Sequence, residues 1–344
     1  MPVERQILAR NDDVYECFPD VAQTESGRLV VVYRESDSHV ASEFTHLIVR
    51  TSDDDAATWS KRHVLIESFK NDGVLEKWNC PRVVLLSDGR LLIVCDHYPH
   101  PPGEVVGRHS INALWFSDDD GSTWTGPQET TVTGIVPDRP LELPSGTLLL
   151  GSHERKPATG DIVQFVHRSH DCGLTWEGPI TIVDQTGLNP CECSIVILPD
   201  GNLVAYMREN SMKGLPGPKA FSNDDGETWD GPYESIIDGC HRPVSGFLKS
   251  GNFLTTYRHM PLSKKTWAKN TLAMLEPIES VVTKERSEQS GVILPLDHDA
   301  SKNSDSAYTG WVERPDGSVF AVNYINDDAP MAQIRGYRFD ESDF

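Results

Sequence analysis

The feature that most constrains this chain is an internal repeat, a small-residue turn followed by an apolar strand, six times over. The copies are Ser26-Gly27-Arg28-Leu29-Val30, Asp88-Gly89-Arg90-Leu91-Leu92, Ser145-Gly146-Thr147-Leu148-Leu149, Asp200-Gly201-Asn202-Leu203-Val204, Ser250-Gly251-Asn252-Phe253-Leu254 and Asp316-Gly317-Ser318-Val319-Phe320. Their glycines are 62, 57, 55, 50 and 66 residues apart. A short apolar strand precedes each turn, so each copy predicts a β-hairpin. Repetition at this period means one supersecondary unit per repeat, each burying its faces against its neighbours. Six such hairpins predict an all-β chain folded as a six-bladed β-propeller.

A second repeat occurs four times: Ser52-x-Asp54-x-Ala56-x-Thr58-Trp59, Ser117-x-Asp119-x-Gly121-x-Thr123-Trp124, Ser169-x-Asp171-x-Gly173-x-Thr175-Trp176 and Ser222-x-Asp224-x-Gly226-x-Thr228-Trp229. Ser and Asp side chains hydrogen-bond turn amides, and Gly takes a conformation that other residues resist. The motif therefore reads as a hairpin turn with Trp covering it. It resembles the Asp box of the sialidase superfamily, and the resemblance implies a structural role.

Runs such as Leu29–Tyr33 and Leu91–Cys95 are continuously apolar, as expected of inner strands buried on both faces. The predicted blades are 11–70, 71–130, 131–186, 187–236, 237–297 and 298–344. The fifth lacks the second motif. The sixth lacks an outer strand, which Glu4–Ala9 is expected to supply, so that residues 1–344 form a single propeller domain.

The formal net charge of −21 argues against nucleic acid and anionic membrane as partners, because phosphate binding needs a basic footprint. No stretch approaches the roughly 20 apolar residues of a membrane-spanning helix. The first residues show no apolar leader core, which leads to the expectation of a cytoplasmic protein. Seven cysteines without such a leader read as reduced, buried thiols. Phosphate-loop, dinucleotide and metal motifs are lacking, so no cofactor and no metal are expected.

Fixed offsets from the turn glycine point to a ring of polar residues. Seven positions after it stand Arg34, Asp96, His153, Arg208, Arg258 and Tyr324. Nine positions before it stand Phe18, Cys80, Pro137, Glu192, Arg242 and Tyr308, with Asp20, Arg82, Asp138, Arg139 and His241 close by. Hairpin geometry puts both sets at the end opposite the turn, facing the axis. Arginine, histidine and carboxylate converging there suit an anionic sugar.

Two segments sharpen the resemblance to the sialidase (neuraminidase) superfamily. In Glu192-Cys193-Ser194, leading through Asp200-Gly201 to Tyr206-Met207-Arg208, Glu192 matches the catalytic glutamate and Arg208 a substrate-carboxylate arginine. In Ser306-Ala307-Tyr308-Thr309-Gly310-Trp311, Tyr308 matches the tyrosine nucleophile. Sialidases replace the usual carboxylate nucleophile with tyrosine. A neutral phenol approaches an anionic sugar without like-charge repulsion, and a nearby glutamate takes its proton. Two positions depart from the pattern. The first blade carries Glu16-Cys17-Phe18-Pro19 where the family has an arginine, and Arg34, Arg82, Arg139, Arg242 and Arg258 are candidates to rebuild the anion site. The family's acid/base aspartate has no direct match in Asp37–Phe44, so Asp37, Glu43 and Asp96 are the candidates.

The resulting expectation is a sialidase-like retaining glycoside hydrolase with carbohydrate as its partner. Two alternatives stay open. One is a propeller polysaccharide lyase acting on uronates through Tyr308, His153 or His259 and arginine. The other is a non-catalytic carbohydrate-binding propeller. Oligomeric state is not legible.

Overall fold

The hairpins expected at the six turn glycines all form. Their glycines adopt φ between +83° and +92°, and an added Cβ would meet nothing within 4 Å. Backbone conformation, rather than lack of space, therefore requires glycine there. The computed structural model describes residues 3–99, 110–135, 138–260 and 268–344.

Six antiparallel sheets form a six-bladed propeller. The first blade is Tyr15–Gln23, Leu29–Ser36, Phe44–Ser52 and His63–Phe69. In the second, Glu76–Trp78 and Arg82–Leu85 share one partner, Leu91–Pro99, followed by Ile111–Ser117 and Thr125–Thr133. The third runs Leu141–Glu142, Leu148–Arg155, Ile162–Ser169 and Glu177–Val183. The fourth runs Pro190–Ile197, Leu203–Glu209, Pro216–Ser222 and Asp230–Asp238. The fifth runs Cys240–Phe247, Phe253–His259, Asn270–Glu276 and Val292–His298. Gly310–Glu313, Val319–Ile325 and Gln333–Phe339 form the sixth, and Glu4–Ala9 pairs on its outer edge with Gln6 opposite Gly336.

The second strand of each blade carries the core. Leu29–Tyr33 and Leu91–Cys95 are at most 1% exposed. Burying each such aliphatic side chain contributes about 1.5–3 kcal/mol before entropy is counted. The fifth blade, which lacks the Ser/Asp/Gly/Thr/Trp turn, joins its last two strands through the short helix Ile278–Val282. The Lys219 ammonium from the fourth blade donates to the carbonyls of Ser280 and Val281 and ties that helix down.

The four Asp-box turns repeat one hydrogen-bond set. In the fourth blade, Ser222 Oγ donates to Asp224, Gly226 N–H donates to Ser222 Oγ, and the Thr228 amide and hydroxyl both donate to Asp224. Trp229 Nε1 closes the turn on the Gly226 carbonyl at 3.2 Å. The first blade keeps the Ser52 and Asp54 bonds, but Ala56 stands at φ 65° and Trp59 Nε1 is buried without a hydrogen-bond partner among the described residues.

Two ends of the propeller are thereby separated. Leu203 pairs with Ser222 of the Asp box, whereas Arg208 lies at the far end of the same strand. At that far end the innermost strands of blades one, four and five slip register, between Cys17 and Asp20, Cys191 and Ser194, and His241 and Val244. Within the slips, Phe18, Glu192 and Arg242 take left-handed φ of 55°, 49° and 54°. Such bulges re-aim a side chain. A non-glycine residue in that conformation costs about 1–2 kcal/mol. That three residues at one register position carry this strain marks the pole of the propeller as the place to look for chemistry.

Candidate active site

Tyr308 follows another left-handed residue, Ala307, at φ 67°. The Ala307 amide is held by Asn323 Oδ1 at 2.7 Å and by the Tyr324 carbonyl at 3.2 Å. Tyr308 is thus aimed inward and only partly buried. Its hydroxyl donates to Glu192 Oε1 at 2.5 Å. Arg208 Nη1 donates to the same oxygen at 2.8 Å and to the phenol oxygen at 3.2 Å. Arg208 Nη2 is held by Asn210 Oδ1 at 2.6 Å.

The electrostatics of this trio are lopsided. Burial opposes ionisation of Glu192, but the Arg208 guanidinium, His153 and the Tyr308 hydrogen bond outweigh it and hold the carboxyl at about 2. Burial, reinforced by the Glu192 charge, pushes the Tyr308 phenol upward. The site therefore holds a neutral phenol already bonded to an ionised carboxylate. Glu192 Oε2 is buried with no hydrogen-bond partner among the described residues. Burial lowers His153 to about 4, and its Nδ1 takes the Glu192 amide at 3.5 Å.

Besides Arg208, three of the expected arginines gather around two rings. The Arg258 guanidinium lies 4.6 Å from the Tyr308 centroid, while its Nε donates to Ser306 O and its Nη2 to Tyr324 Oη. Arg242 stands 5.9 Å from the Tyr308 centroid. Arg34 lies 4.6 Å from the Phe18 centroid and donates to Asn79 and to the His39 carbonyl. Phe18 in turn packs 5.0 Å from Tyr308. Cys17, where the family has its arginine, sits opposite Arg34 in the ladder, so a guanidinium reaches this region from the neighbouring strand. Arg242 is 1% exposed, and its one hydrogen bond among the described residues goes to Pro243 O at 3.3 Å. Burial, with Arg82 adding repulsion, lowers it to about 10.

Two expected arginines are placed otherwise. Arg139 was expected in the pocket, but it is clamped on Asp20 at 2.6 Å and on the carbonyls of Val21 and Trp311, closer to the turn end. Asp20 is fully buried and needs that counter-charge. Arg82 is also fully buried and bonded to Pro19 O and Cys80 Sγ.

Two of the three acid/base candidates, Asp37 and Asp96, hold the fold, and the third, Glu43, lies at the surface. Asp37 accepts the amides of Ser42 and Glu43 and the Ser42 hydroxyl, which folds the loop after the first hairpin. Glu43 is exposed and pairs with Lys70 at 3.0 Å. Asp96 is fully buried and accepts Asn79 Nδ2 and the Cys80 amide. Pro137, of the inward-facing set, lies outside the described residues.

A second cluster went unnoticed in sequence. Asp305, three residues before Tyr308, is buried and accepts from Lys269 Nζ at 2.6 Å, Tyr324 Oη at 3.0 Å and the Tyr15 hydroxyl. His39 Nδ1 reaches it at 2.5 Å. The proximity of Asp305 to Tyr308 in sequence was the available signal, whereas nothing in the first-blade loop marked His39. No group of three or more His, Cys, Asp or Glu among the described residues is arranged to hold a metal ion. No helix among them is long and apolar enough to cross a membrane.

A ring of six blades with Asp-box turns at one pole and a tyrosine–glutamate–arginine trio at the other defines a propeller of the BNR type. Residues 27–239 match the family model described as BNR repeat-like domain, and the chain belongs to that family. No curated protein matches it in sequence. Among solved structures, a protein of unknown function from Dyadobacter fermentans has a TM-score of 0.82 at 18% identity, with 98% of each chain covered. The Hadza microbial sialidase Hz136 has a TM-score of 0.70 at 18% identity, covering 95% of this chain and 66% of its own. An α-L-arabinanase from Penicillium chrysogenum, complexed with arabinobiose, has a TM-score of 0.64 at 12% identity and 99% coverage of both chains. These likenesses establish the fold.

Proposed function

We propose that the chain is a retaining glycosidase acting on a sugar that bears an anionic group, with Tyr308 as nucleophile and Glu192 as its base. The observation that carries the reading is the 2.5 Å hydrogen bond from the Tyr308 phenol to an ionised Glu192. A nucleophile and its base must sit within about 2.6–3.2 Å, and this pair is already in place. Attack by Oη on the anomeric carbon forms a glycosyl–tyrosine bond while the phenolic proton passes to Glu192. Arg208, on both oxygens, steadies the charge that moves between them.

The anionic substrate is supported by Arg242. Arg242 has no carboxylate within 4 Å among the described residues, and a buried guanidinium in that state is costly unless an anion arrives. That similar folds include sialidases and an arabinanase agrees with carbohydrate chemistry. The test is a screen of chromogenic anionic glycosides, sialosides and uronides included, together with uronate oligosaccharides. A retained anomeric configuration in the first-formed product supports the reading. An unsaturated, ultraviolet-absorbing product would move the assignment to a lyase.

A further inference from the structure

The trio described above activates a nucleophile but does not itself include a group to protonate the leaving oxygen. Asp37 and Asp96 are engaged in the fold, and Glu43 is an exposed surface partner of Lys70. His153 and His241 are buried and kept neutral by burial, at about 4 and about 2. One further histidine, packed against Phe18 and half exposed, is held differently from these.

His39 lies on the loop that Asp37 folds. Its side chain is 48% exposed, yet its Nδ1 is fixed 2.5 Å from Asp305 Oδ2. Its ring packs edge-on to Phe18, 5.4 Å between centroids, and Phe18 is also the ring against which Tyr308 packs. Its carbonyl is held by Arg34 Nη2 at 2.5 Å, so backbone and side chain are anchored independently. Nε2 has no hydrogen-bond partner among the described residues. Asp305 is over-supplied with donors: Tyr15, Tyr324, Lys269 and His39, with Arg258 at 3.6 Å. Burial opposes its ionisation, but His39, Arg258 and Lys269 hold its carboxyl well below the usual range. With Nδ1 bonded to the carboxylate, Nε2 is the nitrogen left to meet a substrate.

We infer that His39, oriented by Asp305, is the general acid/base of this site. The inference rests on the glycosidase reading above. In the first step Tyr308 Oη bonds to the anomeric carbon and its proton goes to Glu192. The glycosidic C–O bond breaks with its electron pair on the leaving oxygen, which takes the Nε2 proton of the His39 imidazolium. In the second step water attacks the anomeric carbon and gives a proton to neutral His39 Nε2. The tyrosyl C–O bond breaks with its pair on Oη, which recovers the proton from Glu192. His39 is the catalytic residue, and Asp305 is a positioning residue.

The test compares two substrates of the same anionic sugar, one with a 4-nitrophenyl leaving group and one with an alkyl alcohol. General acid catalysis is worth about 10²–10⁴-fold, and a nitrophenolate leaves without it. His39→Ala is expected to lose that much kcat/KM on the alkyl glycoside and less than about tenfold on the nitrophenyl one. Azide should partly restore turnover of the nitrophenyl substrate, giving a glycosyl azide of retained configuration. His39→Gln keeps a donor to Asp305 and guards against a folding artefact. It should show the same split between substrates. Asp305→Asn should show a smaller split of the same sign, which a merely structural role would not produce. Tyr308→Phe should lose both substrates alike. Equal losses on the two substrates in both His39 variants overturn the inference while the glycosidase reading stands. An inactive wild type across the anionic panel removes that reading and the dyad's role with it.

Discussion

Glu192 and Tyr308 are 116 residues apart in the chain, on blades four and six, yet the phenol of one donates to the carboxylate of the other at 2.5 Å. Each hangs from a left-handed backbone kink at the polar end of an inner strand, at Glu192 itself and at Ala307. The ring of blades converts equal register into spatial contact, because equivalent positions of different repeats face one axis.

The first expectation follows from that pair. Tyr308→Phe removes one oxygen and leaves Glu192 bonded to Arg208, so thermal stability should change little. Hydrolysis should fall by several orders of magnitude, as for loss of a nucleophile. Steady-state kinetics beside a melting curve check both halves. Wild-type turnover by the folded variant would remove Tyr308 from the chemistry.

Arg242 separates binding from stability. With no carboxylate within 4 Å among the described residues, the buried guanidinium is a stability cost, so Arg242→Met should melt at or above the wild-type temperature. The same change should raise KM for an anionic substrate by roughly ten- to a hundredfold, the worth of about 1.5–3 kcal/mol for a charged hydrogen bond. A neutral analogue should be affected far less. Destabilisation of several kcal/mol by urea titration would show that Arg242 has a structural partner instead.

The Glu192 carboxyl sets a pH signature. Its folded value of about 2 lies below the roughly 4.3 of an unfolded glutamate. A depressed carboxyl contributes stability that is fully present above the unfolded value and is lost as pH falls through the folded one. Glu192→Gln should therefore be less stable than wild type at pH 7. The gap should close between about pH 4 and pH 2. Denaturant melts at a series of pH values would measure it, and a gap independent of pH would contradict the charge assignment.

Ala56 offers a structural check remote from the site. It stands at φ 65° where the other three Asp boxes have glycine. Ala56→Gly relieves left-handed strain of about 1–2 kcal/mol and gives back about 0.4–1 kcal/mol in unfolded-chain entropy. The variant should melt slightly higher than wild type, against the usual penalty for glycine. A clear loss of stability would mean that the Ala56 methyl contributes more packing than this balance allows.

The repeats made the architecture legible in sequence. Six turn glycines demanded positive φ and four Asp boxes demanded the same side-chain bonds, and these are local requirements that a linear chain states outright. Register from the same glycines located Glu192, Arg208 and Tyr308, because side-chain direction follows strand position. Which polar residues act on substrate and which hold the fold was a tertiary decision. Asp37, Glu43, Asp96 and Arg139 carry the same side-chain chemistry as the site, yet loop amides, Lys70, Asn79 with the Cys80 amide, and Asp20 engage them. His39 carries no signal of its own, because its partner Asp305 reaches it only when the sixth blade closes against the first. Hydrogen bonds and ion pairs act over a few ångströms in space, and distance along the chain says nothing about them until the ring is complete.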